Sequence, residues 1–276
     1  MRITRFISSI PRRLNAFFEE EPEDTPLADA LSKTIENPSG LLEHLNALRK
    51  HAFRALGVMA VATILAFIFI QPILAFLTRP LSGGLAALTA IDVTEPIGTV
   101  MKVSLLTGFA ISFPYIAFEI WLFIAPGVSR RMRMMGLLAI PIALLFFLGG
   151  MAFAYFVMLP VALPFLLNFA GIHTIPRPTS YVSFVTSIMF WIGLAFEFPL
   201  VIYILAALHF VNARTLAKQW RLAVVIIAVV AAAITPTVDP VNMSIVMGPM
   251  ILLYFLSIGL AYLANPGPKA EEQLEK

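Results

Sequence analysis

Four stretches of this chain, near 52–77, 97–124, 135–158 and 182–208, are apolar for long enough to cross a bilayer at about 1.5 Å of helix rise per residue. Two shorter apolar runs, Leu222–Thr235 and Ser244–Ala264, follow them. No other feature constrains the fold as strongly, because in lipid every backbone polar group must be satisfied inside its own segment or a closed barrel. Hydrophobic residues make up 59% of the chain and charged residues 13%, with a mean hydropathy of +0.89, far outside the range of soluble domains. The expected fold is an all-α membrane protein with six transmembrane helices. The fifth run is too short to span an average bilayer upright, so it requires local thinning or cover from neighbouring protein. Pro114, Pro141, Pro160, Pro164 and Pro199 fall within the apolar runs or at their ends and predict a kinked, partly concave bundle.

The basic residues orient the spans. Lys and Arg stay preferentially on the cytoplasmic side of short loops. Arg2, Arg5, Arg12, Arg13, Lys33, Arg49, Lys50 and Arg54 precede or open the first span. Arg130, Arg131, Arg133, Arg214, Lys218 and Arg221 lie in the even-numbered connections, and Lys269 and Lys276 in the tail. Only Arg79, Lys102 and Arg177 fall elsewhere, which predicts a multi-pass protein of the cytoplasmic membrane with both termini in the cytoplasm.

Several classes of chemistry lack their residues. There is no cysteine, which removes disulfides, thiolate metal sites and thiol nucleophiles. His44, His51, His173 and His209 are too dispersed for a metal site, and no phosphate-cradling Gly loop is present. The net charge of +3 is explained by topology and anionic headgroups, so nucleic acid is not an expected partner. Neither catalytic residues nor a cofactor are expected.

Three regions follow: an extension over 1–40, a membrane domain over 41–264 and a cytoplasmic tail over 265–276. In the extension, Ile3, Phe6, Ile7, Ile10, Leu14, Phe17 and Phe18 recur at helical spacing among arginines, the pattern of a basic segment lying on a membrane surface. The acidic stretch Glu19-Glu20-Glu21-Pro22-Glu23-Asp24 follows and is too polar to pack. Pro11-Arg12-Arg13-Leu14 has the look of an export signal but lacks the apolar stretch such a signal needs directly after it.

One carboxylate stands out. Glu197 lies inside the run 182–208, where an ionised side chain costs roughly 2.5–3.5 kcal/mol on insertion scales, so protein or water must receive it. It reads as a site that meets a polar group on a partner's transmembrane helix, or as a neutral acid hydrogen-bonded inside the bundle. Glu95 and Lys102, near the non-cytoplasmic end of the second span, read as anchoring residues, and Asp239 as a turn residue between Pro236 and Pro240.

Six blocks, in order, carry a family resemblance. Leu41-Leu42-Glu43-His44-Leu45-Asn46-Ala47-Leu48-Arg49-Lys50 resembles the entry motif of TatC, the multispanning subunit of the twin-arginine protein translocase. Thr94-Glu95-Pro96 with Lys102 is similar to the start of that family's second span, and Phe113-Pro114-Tyr115 through Ala125-Pro126-Gly127 to its end. Gly150 through Pro160, Ala195-Phe196-Glu197-Phe198-Pro199, and Ile234-Thr235-Pro236 with Asp239 match in the same order. The resemblance covers about 41–263. It implies a protein-conducting receptor that binds twin-arginine signal peptides and gathers single-span TatA/TatB-like subunits and further TatC-like copies. Folded proteins would then cross the membrane on the protonmotive force. It also implies a signal-peptide region at Glu43, His44, Leu48, Arg49, Phe123 and Pro126, and family-matched positions at Glu95, Pro114 and Asp239.

The departures concern charge. Arg–carboxylate pairs form bidentate, charge-assisted hydrogen bonds that neutral side chains cannot supply. The family's acids in the entry motif, the first cytoplasmic loop and the last span fall at Ala47, Met132 and Phe255 here. Ser129-Arg130-Arg131-Met132-Arg133 is instead strongly basic and should repel a dibasic peptide. Glu43 reads either as a substitute or as an exposed helix-start acid beside His44. Glu119 reads either as lining the same surface or, more commonly for an acid beside Trp121 near an interface, as solvated. Two alternatives stand beside the export receptor: a degenerate TatC-like paralogue with an assembly or regulatory role, and a proton-coupled secondary transporter. The transporter lacks the internal repeat of interrupted helices that such folds carry.

Overall fold

The computed structural model describes residues 38–127, 130–168, 171, 174–235 and 240–264. The amphipathic extension up to residue 37, the tail from 265, His173 and Asp239 lie outside the described residues. Helix α1 runs Pro38–Ile68 and α2 runs Ile70–Leu77. The break falls there because Pro72 has no N–H to give to the carbonyl four residues back and its ring clashes with it. The turn beyond α2 uses Gly83 and Gly84 at φ 100° and 58°, a left-handed pairing that glycine alone adopts cheaply, and leads into a short 3₁₀ turn over Gly84–Ala87.

Helix α3, Glu95–Ile124, holds Pro114 in its interior and closes on a 3₁₀ turn at Ala125–Gly127. Helix α4, Arg130–Phe153, passes through a π turn at Ala154–Met158 into α5, Leu159–Leu167. That wider turn lies two residues before Pro160, where a regular ladder would meet the pyrrolidine ring, and it lets the span continue to Leu167. Helices α6, Pro178–Phe196, and α7, Phe198–Ala207, are separated by Glu197, which caps both, with Pro199 as the cause of the interruption. The chain ends with α8, Ala213–Lys218, α9, Trp220–Ile234, and α10, Pro240–Ala264.

Five segments are long and apolar enough to cross a membrane: His44–Ile68, Glu95–Ile124, Arg133–Leu167, Pro178–Ala207 and Met243–Ala264. Helix α9, with 15 residues, rises only about 22 Å against a hydrocarbon core of about 30 Å, as expected for the short fifth run. The helical segments up to Ala62 group with Ile111–Ile142, and Thr63–Ala110 group with the chain from Ala143 onward.

In the second group, Val182, Val185, Ile188 and Ile192 of α6 are buried with Leu74, Leu77, Val103, Met158 and Leu159. Lipid supplies no donor to the carbonyls that end α2, and side chains supply them instead. Tyr155 Oη donates to Phe76 O at 2.5 Å, Tyr181 Oη to Leu77 O at 2.8 Å and Thr78 Oγ1 to Leu74 O at 2.9 Å. Small residues set the closest approaches: a Cβ on Gly150 would lie 2.9 Å from the Gly193 Cα, and one on Gly108 2.7 Å from the Thr63 Cα.

In the first group, a Cβ on Gly136 of α4 would fall 1.9 Å from the Trp121 indole. The buried Arg133 donates from Nε to Ala125 O at 2.9 Å, which ties the start of α4 to the end of α3.

Candidate functional sites

Two carboxylates inside the spans have opposite surroundings. Glu119 sits near the end of α3 with 3% of its surface exposed. Burial of a carboxylate requires donors, and two are present. Tyr115, one turn earlier on α3, donates its hydroxyl to Oε1 at 2.5 Å, and His51 of α1 pairs through Nδ1 with Oε2. Glu119 is therefore not the solvated acid that its place beside Trp121 suggested. Its burial is legible only once α1 lies against it.

The face of α1 opposite Glu119 is built at helical spacing from His44, Ala47 and His51. His44 lies 4.4 Å from the Phe123 ring, between centroids, and His51 approaches the same ring edge-on at 6.3 Å. His44 and Phe123 of the expected signal-peptide region thus meet, with Ala47 on the shared face. Leu48, Arg49 and Pro126 are exposed. Arg49 lies over the Phe53 ring, 5.5 Å from its centroid, and lines a shallow basic cleft with Asn46, Ala47, Lys50, His51 and Arg54. Glu43 and Met132 fall on α1 and α4.

Glu197 is different. It occupies the one-residue gap between α6 and α7, and its Oε1 is buried with no hydrogen-bond partner. It lines a cavity of about 460 Å³ whose other walls come from α7, α8, α9 and α10, among them Val201, Leu222, Ile226, Val230 and Leu253. Gln219 and Tyr254 are the other polar side chains on that lining, and Tyr254 already donates its hydroxyl to Leu216 O at 2.6 Å. Phe255, where the resemblance leads one to look for an acid, is an exposed apolar residue of α10.

Glu95 and Lys102 have partners that sequence reasoning missed. Glu95 is buried at the start of α3 and forms an ion pair with Arg177, while its Oε2 accepts the Ile91 N–H at 3.2 Å. Lys102 donates to Ser183 Oγ at 2.5 Å. Just outside the span, the backbone N–H and hydroxyl of Thr94 donate to Asp92, the backbone bond being the larger effect, and together they hold that carboxyl below its usual range. Pro114 stays within α3. Among the described residues no three His, Asp or Glu side chains are grouped as a metal site would need.

Long apolar helices with one acid buried near a span end and another half-buried in mid-span define a polytopic helical membrane protein. Comparison with known proteins narrows the class. The family model of the Sec-independent protein translocase protein, TatC, matches residues 43–249. A Sec-independent protein translocase protein TatC from Carboxydothermus hydrogenoformans is 33% identical over 84% of this chain and 96% of its own length. One from Campylobacter jejuni is 34% identical over 85% and 98%. The crystal structure of a twin arginine translocase receptor, TatC, superposes with a TM-score of 0.71 at 30% identity, covering 80% of this chain and 99% of that one. The chain belongs to the TatC family and is a component of the Sec-independent, twin-arginine protein translocation system.

Proposed function

We propose that this chain is the multispanning receptor subunit of a twin-arginine export machine in a cytoplasmic membrane, with both termini in the cytoplasm. It reads export signals at its cytoplasmic face, gathers single-span TatA/TatB-like subunits and further copies of itself, and moves folded proteins on the protonmotive force with no catalytic centre of its own. The observation that carries the partner reading is Glu197. An acid at the middle of a span, with one oxygen unpartnered on an apolar cavity between helices, suits the polar group of an incoming transmembrane helix. The distribution of Lys and Arg supports the orientation.

The substitutions at Ala47, Met132 and Phe255 favour a second reading, a paralogue that assembles or regulates without binding signals itself. One experiment separates the two. The chain, with single-span subunits from the same source, is expressed in a bacterium deleted for its own TatC-family gene, and export of a folded reporter behind a twin-arginine signal is followed. Restored export is expected. Export that returns only when a second family member is added would favour the paralogue.

A further inference from the structure

The receptor reading requires a group that holds arginine, yet the two family positions nearest the cytoplasmic face are Ala47 and a methionine in a basic loop. Glu119 stands across the helix interface from His51, one turn along α1 from Ala47. We propose that Glu119 is the carboxylate that binds a guanidinium of the export signal in this chain, and that His51 is its resident competitor, occupying the carboxylate until the peptide displaces it. The proposal rests on the receptor reading and names the residue that performs it.

The geometry argues this in four steps. A carboxylate has about four acceptor positions, and Glu119 fills two of them, with Tyr115 and His51. The two donors are not equivalent. Tyr115 comes from the same helix one turn away and moves with Glu119, whereas His51 comes from α1, 68 residues away in sequence, and is separable. Exposure points the same way, since the His51 side chain is 20% exposed over a Glu119 side chain that is 4% exposed, so the competitor is the outer of the pair. Finally, Ala47 puts a single methyl group between His44 and His51, and Phe123 stands beside both histidines. A planar guanidinium can stack flat on such an aromatic face while its fork reaches the carboxylate; a lysine ammonium, a compact point charge, supplies neither the planar stacking nor the two-pronged geometry.

The exchange conserves hydrogen bonds. The His51 Nδ1 bond to Oε2 is replaced by guanidinium N–H donors, the Tyr115 hydroxyl stays on Oε1, and the freed imidazole turns to water. Arg54 of α1 is the further cation acting on Glu119 and opposes the incoming charge. The family's usual carboxylate on α1 is thus replaced by one on the facing helix, within the same site.

The test is a titration of the full chain with its single-span subunits in lipid nanodiscs, using fluorescent signal peptides that carry Arg-Arg or Lys-Lys. The parent should bind the Arg-Arg peptide more tightly than the Lys-Lys peptide. Glu119→Gln should weaken Arg-Arg binding at least about tenfold, the span of one charge-assisted hydrogen bond, and abolish the preference for arginine. His51→Ala should tighten binding several-fold, an outcome that a merely structural His51 would not produce. Equal affinity and preference in parent and Glu119→Gln would overturn the proposal while leaving the receptor reading in place. A parent complex that binds neither peptide would overturn both. If Glu119→Gln does not accumulate in membranes, His51→Ala decides alone, and unchanged or weaker binding then refutes the displacement.

Discussion

Glu119 and Glu197 are both acids within membrane helices, but the first has both oxygens engaged by neighbours and the second has one oxygen engaged by nothing. The contrast follows from where each lies. Glu119 is near a span end, where α1 brings a histidine to it and a tyrosine stands one turn away on its own helix. Glu197 sits at a helix break in mid-span, and the cavity beside it is lined mostly by apolar side chains, with Gln219 and Tyr254 the other polar ones. An acid buried beneath its own donor admits a ligand when that donor is displaced, so its site should be selective and closed at rest. An unsatisfied acid against an apolar cavity gains from any partner that brings a donor and apolar surface together.

Adding carboxylates on α1 and at the start of α4 should produce the strongest response. Ala47→Glu combined with Met132→Glu would restore acids at the family positions. If both contacts form, affinity for a twin-arginine peptide should rise by about a hundredfold, as two charge-assisted bonds imply. The gain should be measured at low ionic strength, because exposed pairs are screened over about 8 Å in physiological salt. No gain in such a titration would mean that those positions do not face the peptide.

Paired acids also make a stability prediction that an unpaired one does not. Arg177→Ala leaves the buried Glu95 with only the Ile91 N–H, and should cost about 1–3 kcal/mol in thermal unfolding of the purified protein. The same substitution at Arg79, whose guanidinium merely lies over the Phe76 ring, should cost less. Similar transitions for both variants would remove the argument for the Glu95 pair.

Packing along α4 is tight at one glycine and open at another. Gly136→Ala must displace the Trp121 indole and should destabilise by about 1–3 kcal/mol. Gly149→Ala meets nothing within 4 Å and should be close to neutral or slightly stabilising in the same melting experiment. The smallest effect is expected from deleting residues 1–38, which should leave insertion and partner recovery intact. Loss of insertion on fractionation would show that the extension belongs to the working core.

Much of this architecture is legible in the sequence because lipid permits so few solutions. The spans, the short fifth helix and the role of Pro199 in opening the chain at Glu197 all follow from apolar length and proline chemistry. Glu197 stands out for the same reason, as an acid within an apolar run. The interruption at Phe69 is also traceable to one residue, Pro72, though the apolar run continues through it. What stays hidden depends on side chains brought together by packing: His51 with Glu119, Arg177 with Glu95, Tyr155 and Tyr181 with the end of α2. These pairs are separated by 68 to 104 residues, and no local period marks them. The π turn at Ala154–Met158 is likewise invisible to a regular helical period, although Pro160 signals that the ladder must give.

Recovery of the single-span subunits with parent and Glu197→Ala protein, from membranes containing equal amounts of each, bears most directly on the difference between the two acids. Removing the unpartnered carboxylate should leave insertion intact and sharply reduce the partner recovered, while Glu119→Gln, which acts at the peptide site, should not reduce it. Equal recovery with parent and Glu197→Ala would contradict the assignment of the cavity beside Glu197 as the partner-binding groove.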